Sequence, residues 1–332
     1  MSGEVETELK FQLRTQDLAA LKTPKAPRHS KIGPAERLDL SSTYFDTEDR
    51  RLLAAGLTLR VRRTGDDFEQ TVKAVGEAGA ALAARREATT ALQGERPDIG
   101  LFADEETVRL IESAIDGRVL SPLFVVDVER TVRIVETRSG DRIEFAIDVG
   151  NLTAGDRSLP IREAEFELKG GDLRSLFLVA RAAMAGVPIR FSMAAKSDLG
   201  FRLLDGGGAA EPESAVAIDV AGDSSVELVL HQVLRSCLRQ IATNVVAVDA
   251  GDDPEGPHQL RVGLRRFRSA LKVFAPVIDP SAADRLNQQA KRLGQCVGRV
   301  RDLDVLIDEI VGVCAGHVDV GGLNRHLEAR RK

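Results

Sequence analysis

The stretch ETELKFQL, Glu6 to Leu13, decides the fold. Glu6, Glu8 and Lys10 occupy alternate positions, with Thr7, Leu9, Phe11 and Leu13 between them. Period-two alternation is a strand signal, because successive side chains of a strand leave on opposite faces. One face of this strand is apolar and the other carries two carboxylates and an ammonium. Charged residues are mostly exposed, so ETELKFQL alone reads first as a surface strand.

Its neighbours along the chain change that reading. In GLTLRVRR (Gly56–Arg63), Arg60 and Arg62 share a face opposite Leu59 and Val61. In FEQTVKA (Phe68–Ala74), Glu69, Thr71 and Lys73 oppose Phe68, Gln70 and Val72. In RIEFAIDVG (Arg142–Gly150), Glu144, Ala146 and Asp148 oppose Ile143, Phe145 and Ile147. In IREAEFELKG (Ile161–Gly170), Glu163, Glu165 and Glu167 oppose Ala164, Phe166 and Leu168. FVVDVERTVRIVE (Phe124–Glu136) is a further strand candidate. Two architectures satisfy these patterns: an open sheet or sandwich with wet charged faces, or a closed barrel with charge inside and helices packed on its apolar outside. Charge sorting favours the barrel. One strand carries only Arg on its charged face and another only Glu, whereas a solvated surface mixes signs. Acidic strands facing basic ones suit a metal-bound polyphosphate, since carboxylates are hard ligands for Mg²⁺ or Mn²⁺ and Arg or Lys neutralises phosphate oxygens.

Composition permits two domains. The chain has 332 residues, 43% of them hydrophobic, with one Tyr and no Trp, so aliphatic side chains must fill the cores. No apolar run reaches the length of a membrane span, and the N-terminus lacks a signal pattern. Cys237, Cys296 and Cys314 lack CxxC spacing and read as buried thiols of a reducing compartment, so a cytoplasmic protein without membrane attachment is expected. Net charge is −5. From Gly222 onward 16 basic residues meet 14 acidic ones, so an electropositive site must come from local placement.

Two helical periods interrupt the strands, at Asp104–Ile115 and Gly171–Pro188, the second with Asp172 as N-cap and Gly186 and Pro188 as stops. DGGGAAEPES (Asp205–Ser214) has the composition of a linker. Beyond it the pattern is helical, with breaks at Asp249–Pro257 and Ala275–Ser281. The expected domains are therefore 1–205, a linker at 206–222, and 223–332.

ETELK resembles the ExExK signature of the CYTH superfamily, the triphosphate tunnel metalloenzymes. YFDT (Tyr44–Thr47), LRVR (Leu59–Arg62), Lys73 of QTVK, RRE (Arg85–Glu87), EFAIDVG (Glu144–Gly150), the run Glu163–Glu167 and Lys196 of AAKS follow in the family's order. The resemblance implies an α+β domain: an eight-stranded antiparallel β-barrel tunnel with flanking helices that hydrolyses triphosphate substrates with Mg²⁺ or Mn²⁺. By position it makes Glu6, Glu8, Glu163 and Glu165 metal ligands. It makes Lys10, Arg60, Arg62, Lys73, Arg85, Arg130 and Lys196 phosphate contacts. Glu6 and Glu167 are both candidates to orient the attacking water, with Lys10 beside them in the catalytic set. No Ser or Cys nucleophile is required, because water can attack the terminal phosphorus in line while Arg and Lys absorb the developing charge. His29 lies alone in a loop and is expected at the surface.

The helical part carries a second motif. His258, Arg261, Arg265, Arg268 and Lys272 form one basic stripe, with Leu260, Leu264, Phe267, Leu271 and Phe274 as the apolar stripe. Arg285, Arg292 and Arg299 step by seven. Such stripes are usually solvated faces, yet this one contains no acid at helical spacing to pair with. HxLRVxxRRFRSxLxxF followed by RVRDLDVL (Arg299–Leu306) is similar to the CHAD domain, which implies an all-α helical bundle whose basic face binds inorganic polyphosphate. His258, Arg261, Arg265, Arg268, Lys272, Arg292 and Arg299 would be its contacts. About 110 residues follow Gly222, so a shortened, incomplete bundle is expected. Scarce aromatics remove the stacking platform of single-strand binders, which sets nucleic acid below polyphosphate as a partner. The expected function is an inorganic triphosphatase with a polyphosphate-binding module. A class IV-type adenylate cyclase, a thiamine triphosphatase and a non-catalytic polyphosphate adaptor are the alternatives, and the oligomeric state is not legible.

Overall fold

The computed structural model describes residues 5–331 apart from 75–81, 209, 252, 312 and 314–318. The chain divides into two compact units, Met1–Ala209 and Ala210–Lys332.

The first unit is built on antiparallel strands β1 (Val5–Gln12), β2 (Lys31–Ile32), β3 (Glu36–Asp46), β4 (Leu57–Thr64), β5 (Asp67–Ala74), β6 (Leu82–Leu92), β7 (Ser121–Glu136), β8 (Arg142–Ala154) and β9 (Arg157–Gly170). The strand order is β2-β7-β3-β4-β5-β6-β1-β9-β8, and β7 also pairs with β8. Because β7 holds β3 on one side and β8 on the other, the eight long strands form a ring of pairings, with the short β2 appended to β7. The expected eight-stranded barrel is thus present.

Period two sorts the side chains as the sequence implied. Leu9, Phe11, Phe145, Ile147, Ala164 and Phe166 lie on the outer face under helix α4 (Leu173–Ala183), whose Leu176 and Val179 are fully buried against them. Each such aliphatic side chain contributes about 1.5–3 kcal/mol by leaving water. Asp172 caps α4 as expected, accepting from Arg174 N. On the far side, Leu57, Leu59, Val61 and Val72 pack against α2 (Arg51–Ala54) and α3 (Glu105–Ile115). Asp141 joins the β7–β8 turn to the start of α4, accepting from Thr137 Oγ1, Ser139 Oγ, Ser175 Oγ and Asp172 N. Gly171 is required beside it: φ is +105°, and a Cβ would sit 2.1 Å from Asp141 Oδ1.

The inner face is charged along part of the barrel and apolar along the rest. Leu40, Tyr44, Phe124, Val126, Val128, Leu152 and Ile161 share strand faces with the charged residues, and α5 (Lys196–Leu204) fills this section with Leu199, Phe201 and Leu203. Gly200 allows the close approach, since a Cβ there would meet the Phe124 ring at 2.2 Å. The α5 C-terminus is held by Arg157 Nη1, which donates to Leu203 O at 2.9 Å, and by an Arg50–Asp205 ion pair of 2.7 Å.

The second unit contains α6 (Val226–Ala250), α7 (Glu255–Val273) and α8 (Pro280–Val305), a π-helical turn at Leu306–Val311 and a further helix at Gly321–Arg331. Its core is Cys237, Leu260, Leu264, Phe267, Leu271, Ala290 and Val297, so the apolar stripe of α7 faces inward as expected, with Phe274 half-buried. The linker-like segment divides between the units at Ala209/Ala210, and its second half belongs to this one. Glu213 exchanges backbone hydrogen bonds with the Asn244 side chain and pairs with Arg239 at 2.7 Å. Cys237 is buried as anticipated, but Cys296 is exposed, because Val297 and Gly298 take the buried positions beside it on α8. Cys314 lies outside the described residues. No helix among the described residues is long and apolar enough to cross a membrane.

Candidate active site

Three rows of side chains cross the inner wall at β1, β9 and β8. Register places Glu8 beside Glu167 and Glu167 beside Glu144; Lys10 beside Glu165 and Ala146; Gln12 beside Glu163 and Asp148. Asp148 in turn opposes Arg130 on β7. Across the barrel, Arg60 of β4 lies between Tyr44 and Thr71, and Arg62 lies between Ser42 and Glu69. Lys73 of β5 opposes Glu87 of β6.

These residues surround a cavity of about 370 Å³. Glu8, Lys10, Arg60, Arg62, Lys73, Arg130, Glu165, Glu167 and Lys196 all line it, which brings together most of the residues expected from sequence. Glu163 is 2% exposed and does not reach the lining. For Glu6 and Arg85 only the backbone is described, and it pairs them opposite one another. Sequence reasoning assigned no role to Glu144, Glu87, Lys169, Tyr44 or Asp148. All but Asp148 line the cavity; Asp148 stands behind it, 1% exposed. The signal for Glu144 and Asp148 was their shared face on β8. Lys169 continues the alternation of the Glu run, and Glu87 lies one strand step from Arg85.

Electrostatics divide the cavity in two. On one wall Asp148, Glu163 and Glu165 are paired with three cations. Lys196 Nζ lies 2.8 Å from each of Asp148, Glu163 and Glu165. Arg130 donates to both Asp148 oxygens at 2.7 Å and to Glu165 at 2.5 Å. Lys10 pairs with Glu165 at 3.0 Å and more loosely with Glu8 at 3.5 Å. Burial opposes charge on Lys196, yet Glu163, Glu165 and Asp148 outweigh it and hold its pKa well above the lysine value. Lys10 is raised in the same way, with Glu165 and Glu8 overcoming burial. Burial would raise Glu165, but Lys10, Lys196 and Arg130 bring it well below the carboxylate range. Asp148 is lowered against burial by Lys196 and Arg130.

The opposite wall is left positive. Arg60 Nε is shut off from solvent with no hydrogen-bond partner, and among the described residues Arg60 has no ion pair. Arg62 meets Ser42 Oγ at 3.2 Å and Glu69 only at 3.8 Å. Burial, then Arg60 and Arg130, push its pKa down to about 10. Two neighbouring guanidiniums, one with no ion pair among the described residues and the other only loosely paired, are prepared for an incoming anion.

Position of α5 explains how Lys196 reaches the wall. After β6 has left the edge of β1, Arg190–Ser192 takes its place, with Gln12 N donating to Arg190 O and Ser192 N donating to Lys10 O. A buried Arg190–Asp17 ion pair of 3.1 Å fixes this segment. The chain then enters the barrel, and Lys196 is the first residue of α5.

In the helical unit, Arg265 and Lys272 of the α7 stripe are exposed, and His258 and Arg268 are half-buried. The stripe does find partners from α8: Arg261 meets Asp302 at 3.3 Å, and Arg268 donates to Asn287 at 2.9 Å. Arg292 and Arg299 of α8 are exposed, as is His29 in the first unit.

An antiparallel ring of strands with acids and bases sorted on its inner wall defines a charged-tunnel protein. The CYTH domain model matches residues 4–186 and the CHAD domain model residues 232–332. The first match spans more than half of the chain, which therefore belongs to the CYTH family. An inorganic triphosphatase of Haemophilus influenzae is 30% identical over 203 residues, covering 60% of this chain and 54% of the relative. The chain thus spans about half the length of that curated relative. Among solved structures, a Hippeastrum protein described as revealing a dominant triphosphatase activity shares 17% identity at a TM-score of 0.39, over 60% of this chain and 95% of the other. A Pyrococcus horikoshii protein shares 13% at 0.36, over 60% and 99%. Overlaps this loose carry no further weight.

Proposed function

We propose that the first unit hydrolyses inorganic triphosphate with the help of a divalent cation. The observation that carries this reading is the opposition, across one cavity, of Arg60 and the loosely paired Arg62 to the carboxylate row Glu8–Glu167–Glu144. A linear polyanion needs both: guanidiniums for its oxygens, and acids to hold the cation that accompanies it.

The residues fit such an ion. Glu8, Glu167 and Glu144 stand on adjacent strands, where facing side chains are about 5 Å apart at Cβ. They offer hard oxygen donors, and no His or Cys is among the described lining residues, which suits Mg²⁺ or Mn²⁺ better than a softer metal. Glu6, one strand step from Glu8, would complete the set. When bound, the cation supplies charge neutralisation at the phosphate oxygens and acidifies water.

The chain's own groups do the rest. Arg60, Arg62, Lys73 and Arg130 hold phosphate oxygens, and Lys10 and Lys196 face the same space. Glu167 or Glu6 orients a water whose oxygen bonds to the terminal phosphorus. The bridging P–O bond breaks, the proton passes to the carboxylate, and diphosphate leaves with charge absorbed by the basic wall. We place polyphosphate binding on the exposed cations Arg261, Arg265, Lys272, Arg292 and Arg299 of the helical unit, and the protein in a reducing compartment.

Phosphate release from tripolyphosphate, ATP and thiamine triphosphate, with and without Mg²⁺ or Mn²⁺, tests the reading. Metal-dependent turnover of tripolyphosphate above the other two supports it. Faster release from ATP or thiamine triphosphate would transfer the site to an organic triphosphate, and no turnover in either metal would refute an enzyme.

A further inference from the structure

Asp148 is without a role in that scheme, although it sits at the centre of the most densely paired part of the molecule. Asp148, Glu163 and Glu165 each offer an oxygen within 4.8 Å of the other two, the spacing of a metal site. The place where an ion would go is taken. Lys196 Nζ lies 2.8 Å from all three, and Glu163 Oε2, which receives no hydrogen bond, has that ammonium beside it.

We propose that Asp148, Glu163 and Glu165 form a cation clamp whose permanent occupant is Lys196, and that Asp148 is the positioning residue for Arg130 and Lys196. The inference rests on the proposed triphosphate site and deepens it. Three carboxylates meet three cations, Lys10, Arg130 and Lys196, so the cluster is neutral without a metal. A divalent ion entering it would have to expel a buried ammonium from three short contacts, whereas among the described residues Glu8 has only the loose Lys10 contact of 3.5 Å. Geometry also gives the clamp a direction. Asp148 and Glu163 are 1% and 2% exposed and lie behind the wall, while Lys10, Arg130 and Lys196 line the cavity. The acids therefore grip these cations from behind. Arg130 is fixed by a two-point contact to Asp148 and cannot swing. Cations fixed before substrate arrives need no reordering when phosphate binds.

The test counts bound Mn²⁺ by electron paramagnetic resonance on the full chain without substrate, and separately measures KM for tripolyphosphate. Wild type and Asp148→Asn are expected to bind the same number of Mn²⁺ ions with the same affinity. Lys196→Met is expected to bind one more. In turnover, Asp148→Asn should raise KM about tenfold, the loss of one oriented charge-assisted contact, and leave the Mn²⁺ activation curve in place. Loss of an ion in Asp148→Asn, or a wild-type count in Lys196→Met, would overturn the clamp. Should Asp148→Asn not fold, Glu163→Gln carries the same Mn²⁺ comparison. The ion count needs no catalysis, so it decides the clamp even if tripolyphosphate proves not to be hydrolysed, which would sink the proposed function alone.

Discussion

Replacing Arg130 by Met should cost stability and replacing Arg60 by Met should not, although both are cavity arginines on inner strand faces. Arg130 makes three short contacts, two to Asp148 and one to Glu165. Removing it leaves Asp148, Glu163 and Glu165 with only Lys10 and Lys196, one buried negative charge in excess, a loss of about 3–5 kcal/mol, or on the order of 10 °C in Tm for a unit of this size. Arg60 has no ion pair among the described residues, and its Nε is buried without a partner. The half-buried side chain lines the cavity one strand step from Arg62, so a second cation and no acid of its own stands beside it among the described residues. Arg60→Met should therefore leave Tm unchanged or raise it by about 2–4 °C, the equivalent of roughly 1 kcal/mol. The ligand-binding consequence runs the other way. Arg60 becomes useful when an anion arrives, and a charge-assisted contact is worth about 1.5–3 kcal/mol, so KM for tripolyphosphate should rise about tenfold to hundredfold. Thermal unfolding with and without tripolyphosphate reads both effects. A Tm loss in Arg60→Met equal to that in Arg130→Met would refute the reasoning, because Arg60 would then have to be paired in the free protein.

Glu8→Gln should abolish metal-dependent phosphate release and preserve the fold; a normal metal activation curve would remove Glu8 from the ion's ligands. Gly200→Ala should lower Tm by several degrees through overpacking against Phe124, about 1–3 kcal/mol, and an unchanged Tm would mean that α5 is not seated in the barrel. The pH dependence of stability follows from the lowered Glu165 and Asp148 and the raised Lys10 and Lys196. The two acids stabilise fully above the ordinary carboxylate value near 4 and lose this as pH falls through their depressed values; the lysines stabilise fully below about 10.4 and lose it as pH rises through their raised values. Tm should be flat between these limits, and Glu165→Gln should shrink the acid-side fall; an identical acid limb in both proteins would contradict the assignment. Arg265→Ala should weaken retention of long-chain polyphosphate, measured by gel shift, and unaltered retention would exclude the α7 stripe.

Strands with one apolar and one charged face were legible, and β1, β4, β5, β8 and β9 follow the alternation closely. Two of the long strands were not legible from pattern. In β3, ERLDLSSTYFD, polar and apolar residues occur on both faces, because its inner face passes from the apolar section at Leu40 to the hydroxyl and phenol at Ser42 and Tyr44. In β6, LAARREATTAL, alanines blur the period. The α7 stripe was read as lacking acids, which holds along the helix itself; Asp302 comes from α8, beyond the reach of any periodicity.

By itself the sequence determined which residues share a strand face, since that depends only on the two-residue repeat of the extended chain. It also placed Glu8, Lys10, Arg60, Arg62 and the Glu163–Glu167 run in one chemistry, because sorted charge is rarely tolerated without a ligand to match it. What it could not decide is which face is inside, and which acid meets which base. Both depend on β7 pairing with β3 and β8 at once, which closes the ring and turns the charged faces inward. Lys196 shows the difference most plainly. Along the chain it is an isolated lysine after a loop, and only the route of Arg190–Ser192 along β1 delivers it to three carboxylates on β8 and β9. A contact between segments so far apart is set by closure of the barrel, and no local repeat encodes it.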